Sequence, residues 1–299
     1  MPAPRFNPLD HLPSQARLRQ IQLVAQRLVE SLLAGNYRSV FRGPGIEFDE
    51  VREYVHGDDA RLIDWNVSSR FGSVYTKTFR EEREMTLFLV VDVSASLDFG
   101  SRERSMRDVA LVSSALLTLA AVQNNDKVGG MLFSDDVETW LPPAKGRNHA
   151  MRLLQDIIAT RPRGSGSNLG AALRRVSETL KRRGIVIIIS DFHTLDYQRE
   201  LALLSKRHDV IALRITDPVT DALPEFPLVQ AVDPETGRTA LLNGRSRRFR
   251  FSFEQYWRQH RQQWIRECRR RGVSAIEVRT VDQVAERLIS FFRNRRVAR

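Results

Sequence analysis

Asp92-Val93-Ser94-Ala95-Ser96 sets one carboxylate and two hydroxyls at alternate positions, directly after the apolar run Thr86–Val91. Alternate residues of an extended segment point the same way, so these three oxygens can face one point. Ser167, within Gly164-Ser165-Gly166-Ser167-Asn168, offers another hydroxyl, and Asp191, directly after Ile185–Ser190, a second carboxylate. Oxygen donors carrying two negative charges suit one hard divalent cation, Mg²⁺ or else Mn²⁺ or Ca²⁺. The plainer reading is that short Ser/Asp loops are turns and helix caps, with Ser167 itself capping a helix. What favours the metal reading is that three separate loops bring these residues to one place.

The elements that must position them alternate between strand and helix. Thr86–Val91 and Ile185–Ser190 are near-continuous apolar runs, as expected of central parallel strands covered on both faces. Helical periodicity marks about 104–123, 147–160, 168–182, 196–206, 253–271 and 281–292. Further strands are expected at Lys127–Phe133, Val137–Leu141, Val210–Ile215 and Val273–Val278. The pattern predicts an α/β fold with a doubly wound, mostly parallel sheet. Ligands of such sheets bind beyond the carboxyl ends of the strands, which is where Asp92, Ser167 and Asp191 fall.

Upstream, residues 16–34 read as an amphipathic helix stopped by Gly35-Asn36, and 37–84 as a small β-rich module dense in charge and aromatic residues. The expected organisation is therefore a helix plus module over 1–84 and an α/β domain over 85–299. A hairpin is inserted in the latter at about 226–245, across Pro234-Glu235-Thr236-Gly237.

Composition narrows the function classes. Hydrophobic residues make up 42% and charged residues 28% of the 299, enough for a packed core and ordinary for a globular protein. Cys268 is the single cysteine, so no internal disulfide can form. Met1 to His11 holds three prolines and no apolar run. Leu87–Val91 and Ile185–Ile189 fall far short of the roughly 20 residues of a membrane span. A cytoplasmic protein without a membrane span is expected.

The net charge of +11 and the basic clusters at 174–175, 181–183, 245–250, 269–271 and 293–299 raise nucleic acid as an alternative partner. No aromatic-interleaved basic patch or reader motif accompanies them. A Mg²⁺-dependent hydrolase is a weaker alternative: Gly164–Gly170 lacks the lysine of a phosphate-binding loop, and His193 reads as a rim residue. No enzyme is expected.

The Asp92, Ser94, Ser96, Ser167, Asp191 set resembles the metal-ion-dependent adhesion site of von Willebrand A domains, with Ser167 where that site usually has threonine. The resemblance implies a cation whose shell is completed by a partner protein's acidic residue. Further upstream, Arg42-Gly43-Pro44-Gly45-Ile46-Glu47-Phe48, Arg52-Glu53-Tyr54, Gly57-Asp58-Asp59-Ala60-Arg61, Ile63-Asp64-Trp65 and Ser68-Ser69-Arg70 resemble the signature of a bacterial family, domain of unknown function fifty-eight. The likeness runs from about Arg38 to the last helix. It implies an adaptor working with a MoxR-type AAA+ ATPase or its client. For Arg42, Glu47, Arg52, Tyr54, Asp58, Asp59, Arg61, Asp64, Trp65 and Arg70 two roles stay open. One is a network of Arg–carboxylate pairs docking the module, with Trp65 packed among them and Asp64 on a buried arginine; the other is a partner-binding surface.

Overall fold

The computed structural model describes residues 47–80 and 85–297; the helix expected over 16–34 and Arg42 lie outside them. The chain divides into two compact units, one of them Phe41–Glu84, the other including everything from Met85 onward.

In the smaller unit, β1 (Glu47–Glu53) runs antiparallel to β2 (Tyr75–Arg80), with a register shift between Phe48 and Glu50. Between them lie a 3₁₀ turn, Ala60–Leu62, and α1 (Trp65–Phe71). The β-rich module expected here thus also holds a short helix. Its signals are local: Asp64 accepts from Asn66 N at 3.0 Å and Val67 N at 3.2 Å, and Gly72 ends the helix at φ 70°.

Of the expected Arg–carboxylate pairs, two lie within the unit, while the expected place of Asp64 on a buried arginine is corrected. Asp64 does not sit on a buried arginine; it caps α1, with Lys77 Nζ at 3.4 Å. Arg52 pairs with Asp58 at 2.8 Å, and Asp58 also accepts from Val55 N, closing the turn after β1. The Tyr54 hydroxyl donates to the Asp58 carbonyl. Asp59 caps the 3₁₀ turn through Arg61 N, and the Arg61 side chain lies 3.3 Å from it in solvent. Trp65 is not packed among these groups: it is 68% exposed, and Arg70 is exposed as well. These carboxylates shape turns and helix starts within their own unit. Asp64→Ala should therefore lower the melting temperature only slightly, well short of a core truncation; a collapse of the fold would restore the buried-pair reading.

In the larger unit, β3 (Thr86–Asp92) is buried from Leu87 to Asp92. α2 (Met106–Gln123) follows, started by a reciprocal Ser105–Asp108 capping box. α2 is long and apolar enough to cross a membrane, a feature the count of short apolar runs overlooked, but 78% of it is buried inside the fold. β4 (Lys127–Phe133) and β5 (Val137–Ala144) come next, then α3 (Arg147–Ala159), α4 (Leu169–Thr179) and the fully buried β6 (Ile185–Ser190). α5 (Gln198–Arg207), β7 (Asp209–Thr216) and a one-turn α6 (Pro218–Asp221) lead to the hairpin β8 (Leu228–Val232) and β9 (Thr239–Asn243). α7 (Arg247–Arg270), β10 (Ser274–Arg279) and α8 (Val284–Val297) end the described chain. α7 begins six residues before the expected 253, capped by Ser246.

The six-stranded sheet has the order β10-β7-β6-β3-β4-β5. All neighbours are parallel except β5, which runs antiparallel to β4 at the edge and carries Pro142 and Pro143. Prolines are admitted there because an edge strand need not donate on both sides. Counted from β3 as first, the order is 3-2-1-4-5-6, the doubly wound arrangement, and the winding reverses between β3 and β6. One core layer joins Phe88 and Val90 of β3 to Leu169 and Leu173 of α4, Leu201 and Leu204 of α5, and Trp264 of α7. Asp217, after β7, accepts from Ser101 N and Thr280 Oγ1, both at 2.8 Å, tying three strand-end loops together.

Candidate metal centre

Asp92 ends β3, and Asp191 follows β6, so the two carboxylates stand on the adjacent central strands where the winding reverses. Both are 1% exposed. Ser94 donates to Asp92 Oδ1 through its backbone N at 2.9 Å and its hydroxyl at 2.6 Å. Ser167 Oγ reaches Asp92 Oδ2 at 2.9 Å across 75 residues of sequence. Ser96 Oγ lies 3.2 Å from Ser94 Oγ. Four of the five expected residues thus form one connected group around Asp92, and the charge of Asp191 bears directly on it.

Further bonds hold the loops in place. Ser167 does not cap α4, as expected, because Asn168 does, accepting from Ala171 N at 3.0 Å. That leaves the Ser167 hydroxyl free to face Asp92. Ala95 N donates to Ser165 O, Asn168 N to Ser134 O at 2.8 Å, and Gly166 N to Asp135 Oδ2 at 3.1 Å. Arg107 clamps the first loop by donating to the carbonyls of Val93 and Ser94. Phe192, between Asp191 and His193, is buried with φ 55°. A bulky residue in the left-handed region is strained. Its ring packs on Tyr197 and Trp264, at 5.8 and 5.5 Å between centroids, and that packing holds the turn that aims Asp191.

Three contributors were not singled out from sequence. Ser190, read only as the last strand residue, donates to Asp92 Oδ2 at 2.8 Å. Glu235, at the hairpin tip, hydrogen-bonds Ser96 through its side chain. Arg214 of β7, 2% exposed, sits over Trp264 at 5.5 Å and lies near enough to Asp191 to feel its charge. His193 Nδ1 is 3.4 Å from Asp191 Oδ2, and its backbone N donates to Asp191 Oδ1. Burial, more than the Asp191 charge opposes it, keeps the His193 imidazole toward its neutral form.

The electrostatics are those of a seat with surplus negative charge. Burial, and then the neighbouring Asp191 carboxylate, push the Asp92 pKa up to about 6 against the pull of Ser94 and Ser190. Burial and Asp191 likewise push Glu235 up to about 7. Asp191 Oδ2 is buried with no hydrogen-bond partner, a costly condition for a carboxylate oxygen. Among the described residues no group of three or more His, Cys, Asp or Glu has the spacing of a metal cluster. The donor set is two carboxylates with hydroxyls, which fits a weakly held, hard, oxygen-preferring cation and not a thiolate- or imidazole-bound one. Each serine hydroxyl here contacts a carboxylate or another serine rather than a histidine, which is not the arrangement of an activated nucleophile.

Fold and site together define a doubly wound α/β domain with an oxygen-lined, two-carboxylate seat at its switch point. Residues 50–263 match the family described as "Protein of unknown function DUF58", and the chain belongs to that family. An uncharacterized protein of Mycobacterium tuberculosis, Rv1480, is 32% identical over 225 residues, covering 74% of this chain and 71% of that one. An uncharacterized protein of Mycobacterium avium is 31% identical over 158 residues, covering 52% and 93%. Among solved structures, the conserved hypothetical protein BatB of Bacteroides thetaiotaomicron aligns at 18% identity and TM-score 0.45, covering 71% of this chain and 98% of that one. The SpRpn10 VWA domain aligns at 9% identity and TM-score 0.42, covering 69% and 94%.

Proposed function

We propose that this chain is a protein-binding module in which Asp92, Ser94, Ser96, Ser167 and Asp191 hold one divalent cation, Mg²⁺ or else Mn²⁺ or Ca²⁺. When bound, such a cation supplies an electrophilic point on the surface that attracts a further carboxylate. The observation that carries the reading is the buried Asp191 Oδ2, which accepts no hydrogen bond and has only the His193 Nδ1 at 3.4 Å, beside a second buried carboxylate. Asp92 gathers the serines of two loops, Ser94 and Ser96 after β3 and Ser167 before α4, and Ser190 donates to it as well. The partner is a MoxR-type AAA+ ATPase or its client presenting an acidic residue, as the family resemblance implies, in a cytoplasmic setting.

Arginines at several of the cluster positions are engaged within the fold, which speaks against a free nucleic-acid surface. Arg174 pairs with Glu200, Arg270 and Arg271 with Glu267, and Arg295 with Asp209.

The test is capture of a recombinant MoxR-type ATPase by the full chain, with Mg²⁺ and with EDTA. EDTA and Asp92→Ala should each abolish capture, while Ser167→Thr, which keeps the hydroxyl, should preserve it. Capture that survives both EDTA and Asp92→Ala would sink the reading. Calorimetric titration of Mg²⁺ alone should show binding to the parent and none to Asp92→Ala.

A further inference from the structure

The β8–β9 hairpin belongs to no core strand, yet its tip reaches the seat. Within the turn from Asp233 to Arg238 every residue but Glu235 is exposed; Glu235 alone is half-buried. The turn is built to present it. Asp233 Oδ1 accepts from Glu235 N at 3.0 Å, Thr236 Oγ1 donates to Asp233 Oδ2, and Gly237 supplies the left-handed φ of 69°.

Two contacts then join the tip to the metal loops. Ser165 Oγ donates to the Glu235 carbonyl at 2.7 Å, two residues before Ser167 in the same loop. The Glu235 side chain hydrogen-bonds Ser96, whose hydroxyl touches Ser94 and through it Asp92. Glu235 thus enters by way of the outermost serine and lies within the electrostatic reach of both Asp191 and Asp92.

A third carboxylate turned toward two buried ones is repelled by them. An exposed turn has an easy alternative, which is to let that side chain point to water. The inward setting of Glu235, fixed by contacts on both sides of the turn, makes sense if a positive charge lies among the three acids.

Resting on the cation reading above, we propose that Glu235 is a built-in ligand of the same cation. It takes the place that a partner's carboxylate would take, so the β8–β9 hairpin is a tethered competitor that the partner must displace. A tethered group acts at high effective concentration. Partner binding is weakened by the fraction of molecules in which Glu235 is seated, so only a well-placed acid on a complementary surface displaces it.

The experiment compares the full chain with Glu235→Gln, Glu235→Asp and Asp92→Ala. It uses calorimetric titration with Mn²⁺ alone and hydrogen exchange of the 228–243 amides with and without Mn²⁺. The bonds that hold the turn use the Glu235 backbone and the Asp233 side chain, so Glu235→Gln removes only the charge. The expected result is Mn²⁺ binding roughly tenfold weaker in Glu235→Gln, an intermediate value for Glu235→Asp, and no binding to Asp92→Ala. Mn²⁺ should slow exchange in the hairpin of the parent and leave it unchanged in Glu235→Gln. If Glu235→Gln binds Mn²⁺ as the parent does and its hairpin slows equally, the proposal is overturned while the cation site stands. If Asp92→Ala binds Mn²⁺ as the parent does, the cation site falls, and the built-in ligand with it.

Discussion

In Mg²⁺-free buffer, Asp92→Asn is expected to be more stable than the parent, and in saturating Mg²⁺ less stable. Asp92 is a carboxylate that is 1% exposed and faces a second buried acid. The amide keeps its shape and one carbonyl acceptor for the Ser94 N–H and hydroxyl. The Ser167 and Ser190 hydroxyls, which donate to Oδ2, can turn and accept from the new NH₂. Removing the charge therefore costs little bonding and relieves the repulsion, a gain of about 1–2 kcal/mol of the kind often seen when a functional site is neutralised. On the cation reading, Mg²⁺ at a hundred times its Kd adds about 2.7 kcal/mol to the parent and nothing to the variant. Urea unfolding of both proteins in EDTA and in Mg²⁺ measures this. An equal Mg²⁺-induced shift of the two curves would show that Asp92 has no part in cation binding.

Phe88→Ala is expected to cost about 3–5 kcal/mol, the usual loss for a phenylalanine truncated in a core that cannot close over the gap. Phe88 is fully buried in β3, four residues before Asp92, and stacks at 4.8 Å on Trp140 of β5. Sheet strands flank it and helices α4, α5 and α7 form the layer against it. Because the side chain lies on the same face of β3 as Asp92, the loss should also loosen the seat. A urea midpoint shifted by less than the equivalent of 1 kcal/mol would mean that the layer repacks.

The parts of this architecture that were legible share one property. β3 and β6 are apolar at nearly every position because they are covered on both faces, and such runs cannot be mistaken for loops. Asp92 and Asp191 follow them immediately, so their place at the sheet's carboxyl edge came with the strands. α1 was missed although Asp64 and Gly72 mark its ends, because seven residues show too little periodicity to read. α7 was started late for a related reason: over 24 residues it buries only Trp264 and Cys268, so no apolar stripe marks its first turns. Ser167 was given the capping role that Asn168 performs, since at a helix start adjacent polar residues are interchangeable on paper. Glu235 was placed in its hairpin turn but not at the seat. Its arrival beside Ser96 depends on how far a hairpin folds back across the domain, which is a long-range outcome that local pattern does not carry.

The β5 edge has a consequence for how the molecule behaves in crowded solution. An exposed sheet margin is a template on which another chain can add a strand, the first step toward fibrils. Pro142 and Pro143 carry no N–H and so leave a gap in the donor row of that strand, and the register of β5 on β4 is broken between Val128 and Gly130, where they sit. The domain is thereby kept from adhering along its flank. Replacing this pair with β-branched residues would offer that margin to a second copy of the chain.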